Sequence, residues 1–249
     1  MVDRSANQKE KSRRLRERIA LSLPVRVYCR ESKDREWNEV SRLVDITPFG
    51  ARVRLKRPIE IGRLLLLVSA MPRQLRCFDH VEDQYRVWSL VRNLKLVDPE
   101  SHKGALVEIG LAFVGKRPPQ SYTNDPGARY AIAKSIGKAG FWPVQEDSDE
   151  VVTELSGDKR DATRHHIPVE VEIEPIGDDG EILPSETTVT ENISEHGAAV
   201  FTTLDVPRGR FVKVSKPNTQ LLAIVRHRSV APNGIARLHL EFVGGDWPL

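Results

Sequence analysis

The stretch Asn192-Ile193-Ser194-Glu195-His196-Gly197 decides how this chain is read, because Asp45-Ile46-Thr47-Pro48-Phe49-Gly50 repeats it earlier. Both run Asp/Asn, Ile, a hydroxyl residue, two variable residues and Gly. Each continues into an Ala and a strand-like run, Ala51-Arg52-Val53-Arg54-Leu55 in the first copy and Ala198-Ala199-Val200-Phe201 in the second. Upstream lies a pair of arginines four apart, Arg14/Arg18 and Arg160/Arg164. The second arginine precedes the Asp/Asn by 27 residues in one copy (18 to 45) and by 28 in the other (164 to 192). A short polar pattern carries little weight alone, but two copies with matched flanks mark an internal duplication.

Working outward, strand-like segments surround each motif. In the first half, residues 24–29 alternate apolar and polar, as a half-buried strand does, and 39–44, 50–55, 64–69, 86–96 and 106–114 follow. In the second half the order recurs over 167–173, 186–190, 198–202, 211–214, 221–228 and 235–243. Val68-Ser69 is aligned with Val214-Ser215, and Leu90-Val91-Arg92 with Ile224-Val225-Arg226. Between those landmarks the first copy carries roughly a dozen extra residues, 71–85, read as a longer loop or hairpin. Six short strands per half with turn residues between them predict an all-β chain with minor α content: two small six-stranded antiparallel barrels. The expected layout is a basic tail over 1–12, a first barrel over 13–117, a linker over 118–157 and a second barrel over 158–249. Within the linker, 128–138 is expected as a short helix, and Phe141 and Trp142 as side chains docked on a neighbouring barrel. Residues 7–22 are expected as a solvated helix or mobile arm.

Composition narrows the function. The 249 residues hold 39% hydrophobic and 29% charged side chains, ordinary for a soluble protein, and the net charge is only +3. Bulk charge therefore does not point to a polyanion, and an anion site must be local. Cys29 and Cys77 form no disulfide or zinc pattern. Neither Ile19-Ala20-Leu21 nor Leu64-Leu65-Leu66-Leu67-Val68 approaches a signal or membrane segment in length, so a cytoplasmic protein with no membrane insertion is expected. Residues 110–117 nearly fit a phosphate loop, but Arg117 stands where Ser or Thr is needed. His165, His166 and His196 lack further metal ligands in the sequence. With no nucleophile elbow or zinc-protease helix, no enzyme, no metal and no cofactor are expected.

These motifs resemble those of PilZ domains, the bacterial cyclic di-GMP receptors, whose signatures are Arg-x-x-x-Arg in an N-terminal arm and Asp/Asn-x-Ser-x-x-Gly at a barrel strand. The second half matches through Arg160, Arg164, Asn192, Ser194 and Gly197; the first through Arg14, Arg18, Asp45 and Gly50, with Thr47 in place of serine. The family's late Gly-Leu-x-Phe is kept at Gly110-Leu111-Ala112-Phe113, whereas Leu238-His239-Leu240-Glu241-Phe242 lacks the glycine. The resemblance covers nearly everything but the linker. It implies two tandem PilZ-type barrels, an arm that wraps over bound cyclic di-GMP, and a signal passed to an unidentified effector protein. An arginine just before the pair accompanies two stacked ligand molecules in that family. Arg13 stands there in the first copy and Lys159 in the second, so the resemblance implies a ligand dimer at the first site.

The residue types suit that ligand. A guanidinium fork fits a phosphate or the O6/N7 edge of guanine. Guanine's N1–H and N2–H face suits a carboxylate, making Asp45 the better partner there and Asn192 the weaker. Thr47 or Ser194 is small enough to bond a base. Gly50 and Gly197 are read as leaving room for a flat ligand, as taking positive φ, or as serving only the fold. Pro48 removes one amide donor, so backbone chemistry favours the second site and carboxylate chemistry the first. Two further readings stand beside this one: barrels that have lost ligand binding and act as protein-interaction scaffolds, and nucleic-acid binding through the basic arm 9–18. With aromatics at 6% and no aromatic-studded face, the nucleic-acid reading is the weakest.

Overall fold

The computed structural model describes residues 18–133, 137, 141–146 and 164–249. Seven strands make the first half: β1 Ile19–Ala20, β2 Pro24–Arg30, β3 Glu36–Thr47, β4 Gly50–Leu55, β5 Leu64–Ser69, β6 Tyr85–Leu96 and β7 Val107–Gly115. A short helix α1, Gln120–Asn124, and a two-stranded ribbon of β8, Tyr130–Ile132, and β9, Val144–Glu146, follow. The second half contains β10 Glu170–Pro175, β11 Glu186–Ser194, β12 Gly197–Thr202, β13 Phe211–Lys216, β14 Thr219–Val230 and β15 Ala236–Val243.

Both halves close into six-stranded antiparallel barrels in the same order. The first runs β2-β3-β4-β7-β6-β5, closed by the β2 to β5 pairing, with β1 added beside β3; the second runs β10-β11-β12-β15-β14-β13. The cause is the period-two pattern. In β2, Val25, Val27 and Cys29 point inward while Arg26, Tyr28 and Arg30 point out; β15 alternates likewise from Ala236 to Val243. Closure removes exposed strand edges. Both cysteines are free, and burial pushes the Cys29 thiol up to about 12.

The strands expected over 50–55 and 64–69 coincide with β4 and β5, and most others agree within three residues; β3 and β11 run on to include the motifs themselves. Three expectations are corrected. The helix expected over 128–138 is absent from its described part, where Tyr130–Ile132 is a strand and the helix lies earlier, at Gln120–Asn124. Tyr130 is buried with Leu64, Leu90 and Tyr122, and its N–H bonds Gly62 O at 2.8 Å. Tertiary packing overrides a weak helix propensity there. Of the arm expected as a helix or mobile over 7–22, residues 19–20 are extended and paired with β3, while 7–17 lie outside the described residues.

The third correction is register. Gly62 N bonds Val91 O and Gly209 N bonds Val225 O, each at 2.8 Å, which confirms the match of Val91 with Val225. It also makes Val68 the counterpart of Ser215, one residue away from the expected alignment. A one-residue slip inverts the faces of a strand, and Ser69 and Val214 are both buried residues that the slipped alignment would set against outward ones.

The extra segment of the first half joins β5 to β6 through 70–84, where the second half uses only 217–218. Its organiser is Arg76, 6% exposed, which donates to the carbonyls of Met71 (2.8 Å), Asp79 (2.8 Å), Glu82 (2.6 Å) and Asp83 (3.1 Å). Truncating Arg76 to alanine leaves four inward carbonyls without their donor. The expected loss is about 2–4 kcal/mol of unfolding free energy, checked by urea titration, with new protease nicking inside 70–84.

Each barrel is plugged at the motif end by aromatic rings. In the first, Phe78 contacts Tyr85 (centroids 4.8 Å) and Phe141 (5.2 Å), and Trp142 N bonds Phe113 O at 2.9 Å, so this part of the linker docks on the first barrel as expected. In the second, Trp247 is 2% exposed and stacks on Phe242 at 5.4 Å. The barrels also touch each other. Ile176 and Leu222 join the first barrel's core, and Arg226 reaches Glu60 at 2.6 Å.

Candidate functional site

Each motif forms the end of one strand, a two-residue turn and the start of the next. Thr47 pairs with Gly50 and Ser194 with Gly197. The Thr47 hydroxyl donates to Gly50 O at 3.3 Å and accepts from Phe49 N at 3.2 Å; the Ser194 hydroxyl donates to Gly197 O at 3.2 Å. A small hydroxyl at this place thus closes its own turn. Both turns are tied down alike, Phe113 N to Phe49 O at 2.9 Å and Phe242 N to His196 O at 2.8 Å.

Of the three readings of Gly50 and Gly197, the structure supports the one in which they serve the fold. Neither has positive φ. A Cβ on Gly50 would fall on the carbonyl oxygen of Leu111, and one on Gly197 on that of Leu240. The glycines let adjacent strands approach each other, a role in the fold.

The arms arrive in matching register. Ile19 pairs with Ile46 and Ala20 with Asp45; His165 pairs with Ile193 through two bonds, His165 N to Ile193 O at 2.8 Å and Ile193 N to His165 O at 3.0 Å. In both copies, then, the residue after the second arginine sits opposite the motif isoleucine. One step along the same antiparallel register puts Arg18 opposite Thr47 and Arg164 opposite Ser194. Side chains alternate along a strand, so Arg18 shares the outer face of Ala20 and Asp45. Its guanidinium lies 3.6 Å from the Asp45 carboxylate. Arg13, Arg14 and Arg160 lie outside the described residues.

From this edge a row of outward side chains crosses each barrel. In the first it reads Asp45, Arg52, Gly110, Asn93; in the second Asn192, Ala199, His239, His227. The place of the missing late glycine is therefore His239, directly across from Ala199. A small residue survives in each row but on different strands: Gly110 on β7, Ala199 on β12.

The chemistry of the two rows differs accordingly. In the first, Arg52 Nε donates to Asp45 Oδ2 at 2.6 Å, its NH2 contacts the same oxygen, and its NH1 donates to Glu108 at 2.7 Å. Arg54 completes the chain with a 3.2 Å bond to Glu108. The hydrogen bond to Asp45 raises the Arg52 guanidinium above its ordinary range. Asn93 lies over Gly110, where any Cβ would meet its amide.

In the second row, Asn192 is 9% exposed and its amide makes one long bond, 3.4 Å to Glu191. Arg237 holds Glu191 (2.8 Å from Nε) and contacts the His239 ring at 2.9 Å, while His227 meets His239 edge to face at 5.5 Å. Burial lowers the His239 imidazole below its ordinary range, and the charges of Arg237, His227 and Arg164 push in the same direction against Glu191. A bulge between Val225 and His227 sets Arg226 and His227 on the same outer side, which is how the second histidine reaches the row.

Arg52, Glu108, His227, His239 and Arg237 were not among the sequence candidates. The one signal available was the absent glycine at 239. Among the described residues no group of three His, Cys, Asp or Glu side chains is placed to hold one metal ion, and no helix is long and apolar enough to cross a membrane. A separate cleft of about 380 Å³ lies between the barrels, lined in part by Arg57, Arg208, Arg210 and Glu60.

No protein-family model and no curated protein matches the chain. Among solved structures it is similar to the Bacillus subtilis inhibitor of motility MotI/DgrA, at 15% identity over 91% of this chain and 90% of that one, with a TM-score of 0.27. It is similar to the Borreliella burgdorferi PlzA protein in complex with cyclic di-GMP, at 9% identity over 94% and 89%, TM-score 0.29. A third likeness is to Escherichia coli YcgR in complex with cyclic di-GMP, at 12% identity over 89% and 76%, TM-score 0.26. Scores this low leave the two outer faces to be judged on their own chemistry.

Proposed function

We propose that the chain is a receptor for cyclic di-GMP, of the PilZ type that its motifs resemble, and that it passes the signal to a partner protein. One observation carries the reading. In the first barrel the Arg18 guanidinium, Asp45 and the Thr47 hydroxyl share one outer face, and in the second the residue after Arg164 takes the same backbone register against the motif that holds Asn192 and Ser194. That face offers what a flat dianionic dinucleotide needs: forked cations for phosphate, acceptors or amides for guanine edges, and a ring or stem to stack on. In the second barrel His239 and His227 supply the rings. Arg14 and Arg160, four residues earlier on each arm, are the further cations that the arm would bring over the ligand. Ordering an arm costs conformational entropy, which the charge-assisted bonds must exceed.

Titration calorimetry of the full chain with cyclic di-GMP tests this. Saturable heat is expected, with much weaker heat from cyclic di-AMP, whose adenine lacks guanine's N1–H and N2–H donors. No heat from cyclic di-GMP rejects the receptor reading. It would favour the second reading, a protein-interaction scaffold, for which the turn-closing bonds of Thr47 and Ser194 and the engaged Asp45 speak.

A further inference from the structure

We infer that Arg52 is an internal competitor for Asp45, so that the two barrels bind unequally and the second fills first. This rests on the receptor reading and adds the order of the sites.

The first barrel has the carboxylate better suited to guanine, and on residue type alone it would be the tighter. The contacts reverse that order. Arg52 Nε and NH2 and Arg18 NH1 all fall on Asp45 Oδ2. A guanine edge bonding through N1–H and N2–H takes both oxygens of a carboxylate, and since the two Arg52 donors already occupy the lone-pair sites of Oδ2, it must displace at least one of them. Eviction is costly because Arg52 is shared. Its other end is fixed on Glu108, and Glu108 is fixed again by Arg54. Asp45 is only 5% exposed, so little water reaches it to substitute for the lost bonds.

Among the described residues, the second barrel has none of this. The counterpart of Arg52 is Ala199, and the counterpart of Glu108 is Arg237, which turns to Glu191 and His239 and leaves Asn192 with a single long bond. Net charge does not separate the sites. The first face gathers Arg18, Arg52 and Arg54 against Asp45 and Glu108; the second, Arg164 and Arg237 against Glu191. Among these described residues each face carries one net positive charge, so their long-range attraction for a dianion is similar. The difference lies in what the ligand must break.

The test isolates the first site by placing Arg164→Ala in every protein and titrating with cyclic di-GMP. Arg52→Met keeps the aliphatic stem and removes the competing donors; the remaining site is expected to tighten about tenfold. Unchanged or weaker binding overturns the inference and makes Arg52 a ligand contact or a bystander. In case Arg52→Met unfolds the barrel, the unaltered chain gives a second measurement. The Arg52 Nε–H signal, slow to exchange with solvent while it bonds Asp45, is expected to exchange faster as cyclic di-GMP saturates the first site, and continued protection overturns the idea. If the unaltered chain binds no cyclic di-GMP at all, the receptor reading fails and this inference goes with it. If it binds only at the second site and Arg52→Met creates no first site, the inference alone fails.

Discussion

Replacing Arg164 with alanine is expected to weaken cyclic di-GMP binding at the second barrel by about a hundredfold, while the melting temperature moves by no more than about 2 °C. The guanidinium lies on the exposed arm one residue before the His165 bridge to Ile193, and no hydrogen bond or ion pair to a described residue is seen for it. Its loss therefore costs the fold little. At the ligand it removes a charge-assisted fork, and two such bonds to phosphate or guanine account for a factor of that size. Arg164→Lys separates shape from charge. A lysine keeps the charge but not the planar fork, so recovery is expected to be partial. Calorimetry on both variants, with circular dichroism melts, checks the pair of outcomes.

Replacing Trp247 with alanine is expected to have the largest effect on stability, about 3–5 kcal/mol, because a fully buried ring is exchanged for a cavity. The ring closes the end of the second barrel, stacked on Phe242 at 5.4 Å with the Lys216 ammonium 4.7 Å above it. Its backbone has a second task. Trp247 N donates to Glu195 O at 2.7 Å, and Asp246 holds His196 at 3.0 Å, so residues 246–247 brace the turn between Ser194 and Gly197. Loosening that brace is expected to lower ligand affinity at the second site as well. Trp247→Phe keeps most of the burial and should recover most of both losses. Urea unfolding followed by the far-ultraviolet signal measures the first effect; titration at a temperature where the variant is folded measures the second.

The barrels were legible because burial on one face writes itself as alternation. Val25, Val27 and Cys29 cannot be read otherwise, and the repeat supplied the strand order twice. Tyr130 was misread because Ala, Ile and Lys around it favour a helix locally, while the pairing partner that makes it a strand, 144–146, lies across an intervening segment. The slip at Val68-Ser69 has a similar origin. Leu64 to Val68 is apolar throughout, so the run shows no alternation to fix its phase, and only the Gly62 and Gly209 hydrogen bonds do so.

At the site, Asp45, Asn192 and the arm arginines are visible as motif residues, and a fold role for Gly50 and Gly197 is one of three readings the sequence allows, with nothing in it to choose between them. The oxygens of Leu111 and Leu240 that forbid a side chain there belong to strands some forty to sixty residues away. His227 and His239 were invisible as a pair. They sit on neighbouring strands, and the bulge after Val225 breaks the alternation that would have placed His227 on the outer face. The engagement of Asp45 by Arg52 was hidden for the opposite reason: both residues were in the quoted motif run, yet only coordinates give the distance between them.

On the proposed reading, each arm and motif form one ligand-binding face. A crystal structure of the chain grown with cyclic di-GMP tests it most directly. The ligand is expected on the outer face of β11, β12 and β15, with Arg164 and Asn192 in contact and a guanine against His239. Ligand found instead in the cleft between the barrels, among Arg57, Arg208 and Arg210, with Arg164 and Asn192 untouched, would contradict it.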